Sequence, residues 1–118
     1  MTGDGGGPIP ELAKERCTSA TAETPLIGRQ EAIELMAALS PEWQLGETSI
    51  ERRFELRTFN AAFGLATRVA LLAEAQGHHP DLAIGYGRLD IRLSTDAIGG
   101  LSRNDFIMAA KIDRLTAS

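Results

Sequence analysis

The 118-residue sequence predicts a single α+β domain, in which a four-stranded antiparallel sheet carries three helices on one face. Two stretches alternate apolar and polar residues with a period of two beside turn residues, a pattern typical of β-hairpins. Three other stretches repeat apolar residues every three to four positions, as amphipathic helices do. The order helix, two strands, helix, two strands, helix is most simply accommodated by one antiparallel sheet.

The first helix and hairpin are expected within residues 25–56. The apolar residues of the helix share one face: Ala32, Ile33, Met36 and Leu39. The helix should end at Ser40, because a residue that precedes a proline avoids the α conformation. A short strand then leads to a turn at Gly46, and the residues of a second strand alternate from Ile50 to Leu56.

The longest helix is expected from Phe59 to Gln76. Its apolar residues form one stripe: Phe59, Ala62, Phe63, Ala66, Val69, Ala70 and Ala73. Thr58 is suited to be the N-cap, and Gly77 can adopt the left-handed conformation that often follows a helix C-terminus. Both ends of this helix are therefore defined by local sequence.

The second hairpin and the last helix complete the pattern. The alternating residues of the two strands are Leu82, Ile84 and Tyr86, then Leu89, Ile91 and Leu93. Gly99 and Gly100 interrupt the second strand, and Ser102 with Asp105 approximates a capping box for the last helix. The apolar face of that helix comprises Phe106, Ala109 and Ile112.

Composition divides the chain into a flexible N-terminal tail at residues 1–24 and a domain at residues 25–118. Thr2–Pro10 contains four glycines and two prolines, a composition that cannot offset the entropy of ordering and so predicts disorder. Glu11–Thr24 is small and polar, and we expect it to lie loosely on the domain or to be mobile.

Bulk properties exclude several classes of function. The formal charge of −4 makes nucleic acid an unexpected partner, and no apolar run is long enough to span a bilayer. No signal peptide is recognisable after Met1. The single cysteine, Cys17, cannot form an internal disulfide, which fits a cytoplasmic protein with a buried or free thiol rather than a nucleophile.

The residues best suited to chemistry are His78 and His79, the only histidines, which lie between the long helix and Pro80. The helix dipole favours a protonated imidazole there, and Glu74 lies one turn earlier, where its carboxylate could reach the ring of His78. A polar loop that simply ends the helix explains these residues about as well. A metal site with Glu74 or Asp96 is disfavoured, because neighbouring histidines diverge.

The sequence around this turn resembles the pterin carbinolamine dehydratase family. Glu74–Pro80, followed by Tyr86, is similar to the family signature, and the similarity extends from about Leu26 to Leu115. Other segments resemble the family's second strand and helix entry, its histidine-bearing helix and its final helix cap: Arg53–Asn60, Arg68–Glu74 and Gly99–Asp105. The resemblance implies the same α+β fold and assembly into dimers or larger homo-oligomers.

The resemblance implies loss of water from a hydroxylated pterin by acid–base catalysis, with no metal or organic cofactor. His78 matches the first catalytic histidine, and His79 matches the second, which is more concerned with binding. Glu74, Pro80 and Tyr86 match other positions of the signature and are assigned to ligand binding, although packing also explains Tyr86.

The match to the family fails at Asp96, where the family has a third histidine, and at Ala97, where it often has aspartate. A carboxylate that is ionised near pH 7 is a poor general acid. Either Asp96 acts as a weaker catalytic base, or the fold serves without catalysis. We favour the second interpretation, because two polar groups have changed at one corner of the site.

Within this fold, the chain resembles the dehydratase-like Rubisco assembly factors of α-carboxysomes, which share an altered site and a small size. This implies a non-catalytic role with the Rubisco large subunit as partner, in the bacterial cytoplasm or at the carboxysome, without nucleic acid or membrane. The alternatives are an active or weak dehydratase that binds a pterin, and a transcriptional coactivator. The open sheet face and edges also predict at least a homodimer.

Overall fold

The computed structural model describes residues 11–117, and it confirms the predicted fold class. The helices and strands are α1 (Arg29–Met36), β1 (Gln44–Leu45), β2 (Ile50–Glu55), α2 (Phe59–Gln76), β3 (Asp81–Gly85), β4 (Arg88–Leu93) and α3 (Arg103–Leu115). The four strands form one antiparallel sheet in the order β1-β2-β4-β3. Among the described residues, no helix is long and apolar enough to cross a membrane.

The two predicted hairpins are β1–β2 and β3–β4, and β2 joins β4 at the centre of the sheet. These central strands pair from Ile50 opposite Leu93 to Glu55 opposite Arg88. β3 pairs with the other side of β4 and is therefore an edge strand. In the tight turn between them, Gly87 has a φ of 72°, a conformation that glycine adopts at little cost.

The core lies between one face of the sheet and the helices, and α3 is its most deeply buried helix. The strand residues that are fully buried on this face are Ile50, Leu89, Ile91 and Leu93. All residues of α3 from Asn104 to Ala110 are buried. Packing on several sides therefore holds the first turn of α3 in place, beginning at Asn104.

Two helices bury many of the residues that apolar spacing indicated, among them Ala32 and Val69, but each departs from the spacing at some positions. In α1, Leu35 is buried, whereas Ile33 is 49% exposed. In α2, Leu65 is buried, whereas Phe59 and Phe63 are 49% and 53% exposed. Both helices are apolar over a wider arc than the sheet covers, so spacing alone did not define the limits of the buried face. The uncovered residues on α2 and the open edge of β3 leave self-association as a prediction.

The segment Glu11–Thr18, which the composition grouped with the N-terminal tail, packs against the domain. Leu12 is 1% exposed and belongs to the core. Glu15 accepts hydrogen bonds of 2.8 and 2.7 Å from the guanidinium of Arg103. A single buried leucine has no periodicity, which is why the sequence pattern did not reveal this contact. The remainder of the predicted disordered stretch, residues 2–10, lies outside the described residues.

Cys17 in this segment is expected to react slowly with alkylating agents. Burial raises the pKa of its thiol from 9.0 to about 11. Because only the thiolate is nucleophilic, alkylation by iodoacetamide at pH 8 should be roughly 100-fold slower in the folded than in the unfolded protein. Mass spectrometry of quenched time points measures both rates. Equal rates would contradict the packing of Cys17 against the domain.

Candidate functional site

The C-terminal end of α2 delivers both histidines into a tight turn. Gly77 ends the helix with a φ of 68°, and its N–H donates to the carbonyl oxygen of Ala73 at 2.8 Å. The chain then reverses, so that the neighbouring side chains diverge. His78 is only 7% exposed, whereas His79 lies at the surface.

His78 is held by a buried carboxylate that belongs to α3. Its Nε2 lies 2.6 Å from Oδ1 of Asp105, which is 0% exposed. The other carboxylate oxygen, Oδ2, accepts hydrogen bonds from the backbone N–H of Ser102 at 3.0 Å and the hydroxyl of Thr95 at 2.8 Å. These partners satisfy a carboxylate that would otherwise be costly to bury, and they fix the orientation of the imidazole ring.

This arrangement assigns a chemical role to each nitrogen of the His78 ring. With Asp105 as the acceptor, the neutral ring carries its proton on Nε2 and leaves Nδ1 as a proton acceptor. When Nδ1 takes up a proton, the positive ring and the carboxylate of Asp105 become an ion pair. A pair with this geometry is able to act as an oriented general base.

His79 has a different carboxylate partner, on the outside of the molecule. Its Nε2 lies 2.7 Å from Oε2 of Glu74, and these side chains are 60% and 76% exposed. The expectation that Glu74 reaches the ring of His78 is therefore wrong, because that ring turns inward to Asp105. An exposed pair of this kind contributes little to stability but can hold the ring of His79 in place.

Asp96 lies at the edge of the same cluster. It is exposed and begins a single 3-10 turn, Asp96–Ile98, directly after Thr95. Because the hydroxyl of Thr95 donates to Asp105, this turn is tied to the residue that holds His78. Asp96 is thus connected to His78 only indirectly, through Thr95 and Asp105.

Tyr86 does not join these residues within the chain. It is 77% exposed and lies in the turn after β3, whereas Pro80 immediately precedes the start of that strand. Five residues of extended strand span about 16 Å, so the hairpin separates Tyr86 from the histidines. The ligand-binding roles of Glu74, Pro80 and Tyr86 stay predictions, and that of Tyr86 has no support from the geometry of the single chain.

The part of the site that α3 contributes is not visible in the sequence pattern. Asp105 was identified only as a helix cap, and Thr95 was not singled out. His78 and Asp105 are 27 positions apart, so no local spacing links them. Across residues 11–117, no group of three His, Cys, Asp or Glu side chains is placed to hold a metal ion.

Comparison with known proteins finds one family whose model covers most of the chain. The model of the family described as pterin 4 alpha carbinolamine dehydratase matches residues 25–115. The chain belongs to this family. The match covers both histidines, Asp96 and Asp105, which places the whole cluster within the family's domain.

Two curated relatives carry the name "Putative pterin-4-alpha-carbinolamine dehydratase". The protein from Nitrosomonas eutropha is 36% identical over 110 residues, which cover 93% of this chain and 97% of the relative. The protein from Gloeobacter violaceus, numbered 1 in its name, is 41% identical over 110 residues, covering 90% and 94% respectively.

Two solved structures are similar to this chain. One is a transcriptional coactivator/pterin dehydratase from Brucella melitensis, with a TM-score of 0.72 and 33% identity over 79% of this chain and 100% of that one. The other is a pterin dehydratase-like protein described as a RuBisCO assembly factor in the α-carboxysome. Its TM-score is 0.53 with 23% identity over 64% of this chain and 88% of that one, a likeness that concerns the fold alone.

Proposed function

We propose that this chain is a pterin carbinolamine dehydratase of reduced activity. The observation that carries the proposal is the hydrogen bond of 2.6 Å between His78 and the buried carboxylate of Asp105. An imidazole whose orientation is fixed by a buried carboxylate is the arrangement that a general base requires, and it supports this function. The sequence alone favoured a non-catalytic role because of Asp96, and the retained pair, together with the named relatives, reverses that order of preference.

The reaction requires two proton transfers. A carbinolamine carries an amine and a hydroxyl on one carbon, so its dehydration removes a proton from nitrogen and hydroxide from carbon, leaving a C=N bond and water. One protein group must accept the first proton, and another must donate a proton to the departing hydroxyl. His78 is suited to accept through Nδ1, while Asp105 stabilises the positive ring that results.

The second transfer explains why the activity should be reduced. The family's third histidine is replaced by Asp96, and aspartate is a weaker general acid than histidine near pH 7. His79, supported by Glu74, is suited to contact the substrate but is open to solvent. In this proposal water supplies the missing proton slowly, and neither a metal nor an organic cofactor takes part.

A substitution at His78 tests this function. His78→Gln should lower the rate of dehydration of a 4a-hydroxylated tetrahydropterin by about 10²- to 10⁴-fold, because an amide cannot act as a base at neutral pH. Glutamine can still donate a hydrogen bond to Asp105, so circular dichroism should show an intact fold. Turnover by His78→Gln at the wild-type rate, or no turnover by the wild type, would refute the proposal.

A second candidate function is assembly of Rubisco in the cytoplasm or at the carboxysome, with the large subunit as the partner. The observation in its favour is the loss of the family's polar pair at Asp96 and Ala97, together with the fold that the chain shares with the solved assembly factor. In this role His78 would be a structural residue.

Co-expression separates the two candidates. If the chain assembles Rubisco, its presence should raise the yield of assembled enzyme from co-expressed subunits, and His78→Gln should raise it equally. If the chain is only a dehydratase, the yield should be the same with and without it. Native gel electrophoresis followed by a carboxylation assay measures the yield.

A further inference from the structure

The segment Glu11–Thr18, called the strap below, crosses the helix ends that carry the catalytic pair. At α2, the backbone N–H of Cys17 donates to Oε1 of Gln76 at 2.9 Å. Gln76 is the last residue of this helix and is separated from His78 only by Gly77. A contact with Gln76 therefore acts on the turn that aims the His78 ring.

At α3, the strap contacts the residue next to Asp105. The side-chain amide of Asn104 accepts from the N–H of Thr18 at 3.0 Å and donates to the carbonyl oxygen of Thr18 at 2.7 Å. Asn104 is 4% exposed, so both bonds are shielded from water. The ion pair between Glu15 and Arg103 adds a further contact at the same helix end.

We propose that the strap positions the His78–Asp105 pair, with Gln76 and Asn104 as the positioning residues. The strap binds Gln76 through Cys17 and Asn104 through the adjacent Thr18. Two consecutive residues thus fix the distance between the end of α2 and the start of α3. The expected effect on catalysis rests on the proposed dehydratase function. The effect on the geometry of the pair does not.

The alternative is that the strap only adds stability. Burial of Leu12 serves that purpose, and so does the bond from Lys111 Nζ to the carbonyl oxygen of Ala13 at 2.8 Å. The contacts at Gln76 and Asn104 differ from these, because each lies within two residues of one member of the catalytic pair. A short hydrogen bond between two different helices requires their alignment to within a fraction of an ångström.

The test compares isosteric substitutions. Gln76→Met keeps the length of the side chain but removes the acceptor of the Cys17 N–H, and Gln76→Glu restores an acceptor. Gln30→Met makes the same chemical change on α1, at an exposed residue outside the strap. The readout is hydrogen exchange of the His78 Nε2–H by ¹⁵N NMR with labelled histidine, and His79→Gln assigns the two ring signals.

The expected result is faster exchange in Gln76→Met by roughly 2- to 10-fold, the range that corresponds to the loss of one hydrogen bond. Gln76→Glu and Gln30→Met should exchange like the wild type. Wild-type exchange in Gln76→Met, or equally fast exchange in Gln30→Met, would overturn the proposal. The kcat of dehydration should fall in Gln76→Met but not in Gln76→Glu or Gln30→Met, and KM should not change in any of them.

The two proposals fail in different ways. Inactivity of the wild-type chain would refute the dehydratase function. The exchange rates of the His78 Nε2–H in the wild type and in Gln76→Met would still decide the role of the strap. An active wild type with unchanged exchange in Gln76→Met would refute the strap and leave the function standing.

Discussion

Replacing Asp96 with histidine and Ala97 with aspartate in one chain is expected to raise the dehydration rate by about 10²- to 10⁴-fold over the wild type. The first change restores an imidazole that can donate a proton near pH 7, in the turn that the hydroxyl of Thr95 connects to Asp105. Both residues are exposed in the turn that follows Thr95, so the new side chains need no repacking of the core. His78 is already oriented by Asp105 and needs no change.

Two controls separate this gain from a simple effect of charge. Asp96→Asn removes the carboxylate without adding an imidazole and should leave the rate close to that of the wild type. The double substitution in a His78→Gln chain should remain slow, because the base is missing. Stopped-flow absorbance on the carbinolamine, generated in place, measures the rates. A double variant no faster than the wild type would show that the pocket lacks more than the third histidine.

Much of the fold could be predicted because its signals are local. The bounds of α2 agree with the prediction, since Thr58 accepts a hydrogen bond from the N–H of Ala61 at 3.0 Å and Gly77 adopts the left-handed conformation. The hairpins followed in the same way from alternation and turn residues. These features depend on positions that are neighbours in sequence, which pattern analysis can detect.

The inner face of β2 shows where local signals are insufficient. Arg52 alternates with apolar residues and points inward, where its Nη1 donates to Asp113 at 2.6 Å and its guanidinium lies 4.0 Å from the ring centroid of Phe54. Asp113 also accepts from the indole N–H of Trp43 at 2.7 Å. The alternation that begins at Ile50 predicts that Arg52 lies on this face, but its partner on α3 is 61 positions away and cannot be found from local sequence.

The same limit applies to the candidate site. Composition and the turn after α2 identified His78 and His79, because two adjacent histidines beside a proline are conspicuous. Their different partners, Asp105 for one and Glu74 for the other, depend on which way each ring turns after Gly77. That direction depends on how α3 packs against the sheet, and this packing cannot be identified from a sequence motif.

Asp105→Ala is expected to be among the most destabilising single substitutions in the chain. It removes the acceptor of three buried donors, namely the ring of His78, the hydroxyl of Thr95 and the backbone N–H of Ser102. Each unsatisfied buried group costs about 1–3 kcal/mol, and breaking a buried charged pair typically costs about 3–5 kcal/mol in total. Urea unfolding followed by circular dichroism should show a loss of stability in that range.

Two matched variants test whether this loss comes from the network rather than from the change of charge. Asp105→Asn keeps an acceptor oxygen and the volume of the side chain, so it should retain part of the stability that Asp105→Ala loses. Asp90→Ala removes an aspartate that pairs with Arg53 on the outer face of the sheet, where water already screens the charges. That variant should unfold at nearly the wild-type urea concentration. Equal losses of stability in Asp90→Ala and Asp105→Ala would show that the buried hydrogen bonds around His78 contribute no more than an exposed ion pair does. The fixed orientation of the His78 ring would then have no explanation in the stability of this cluster.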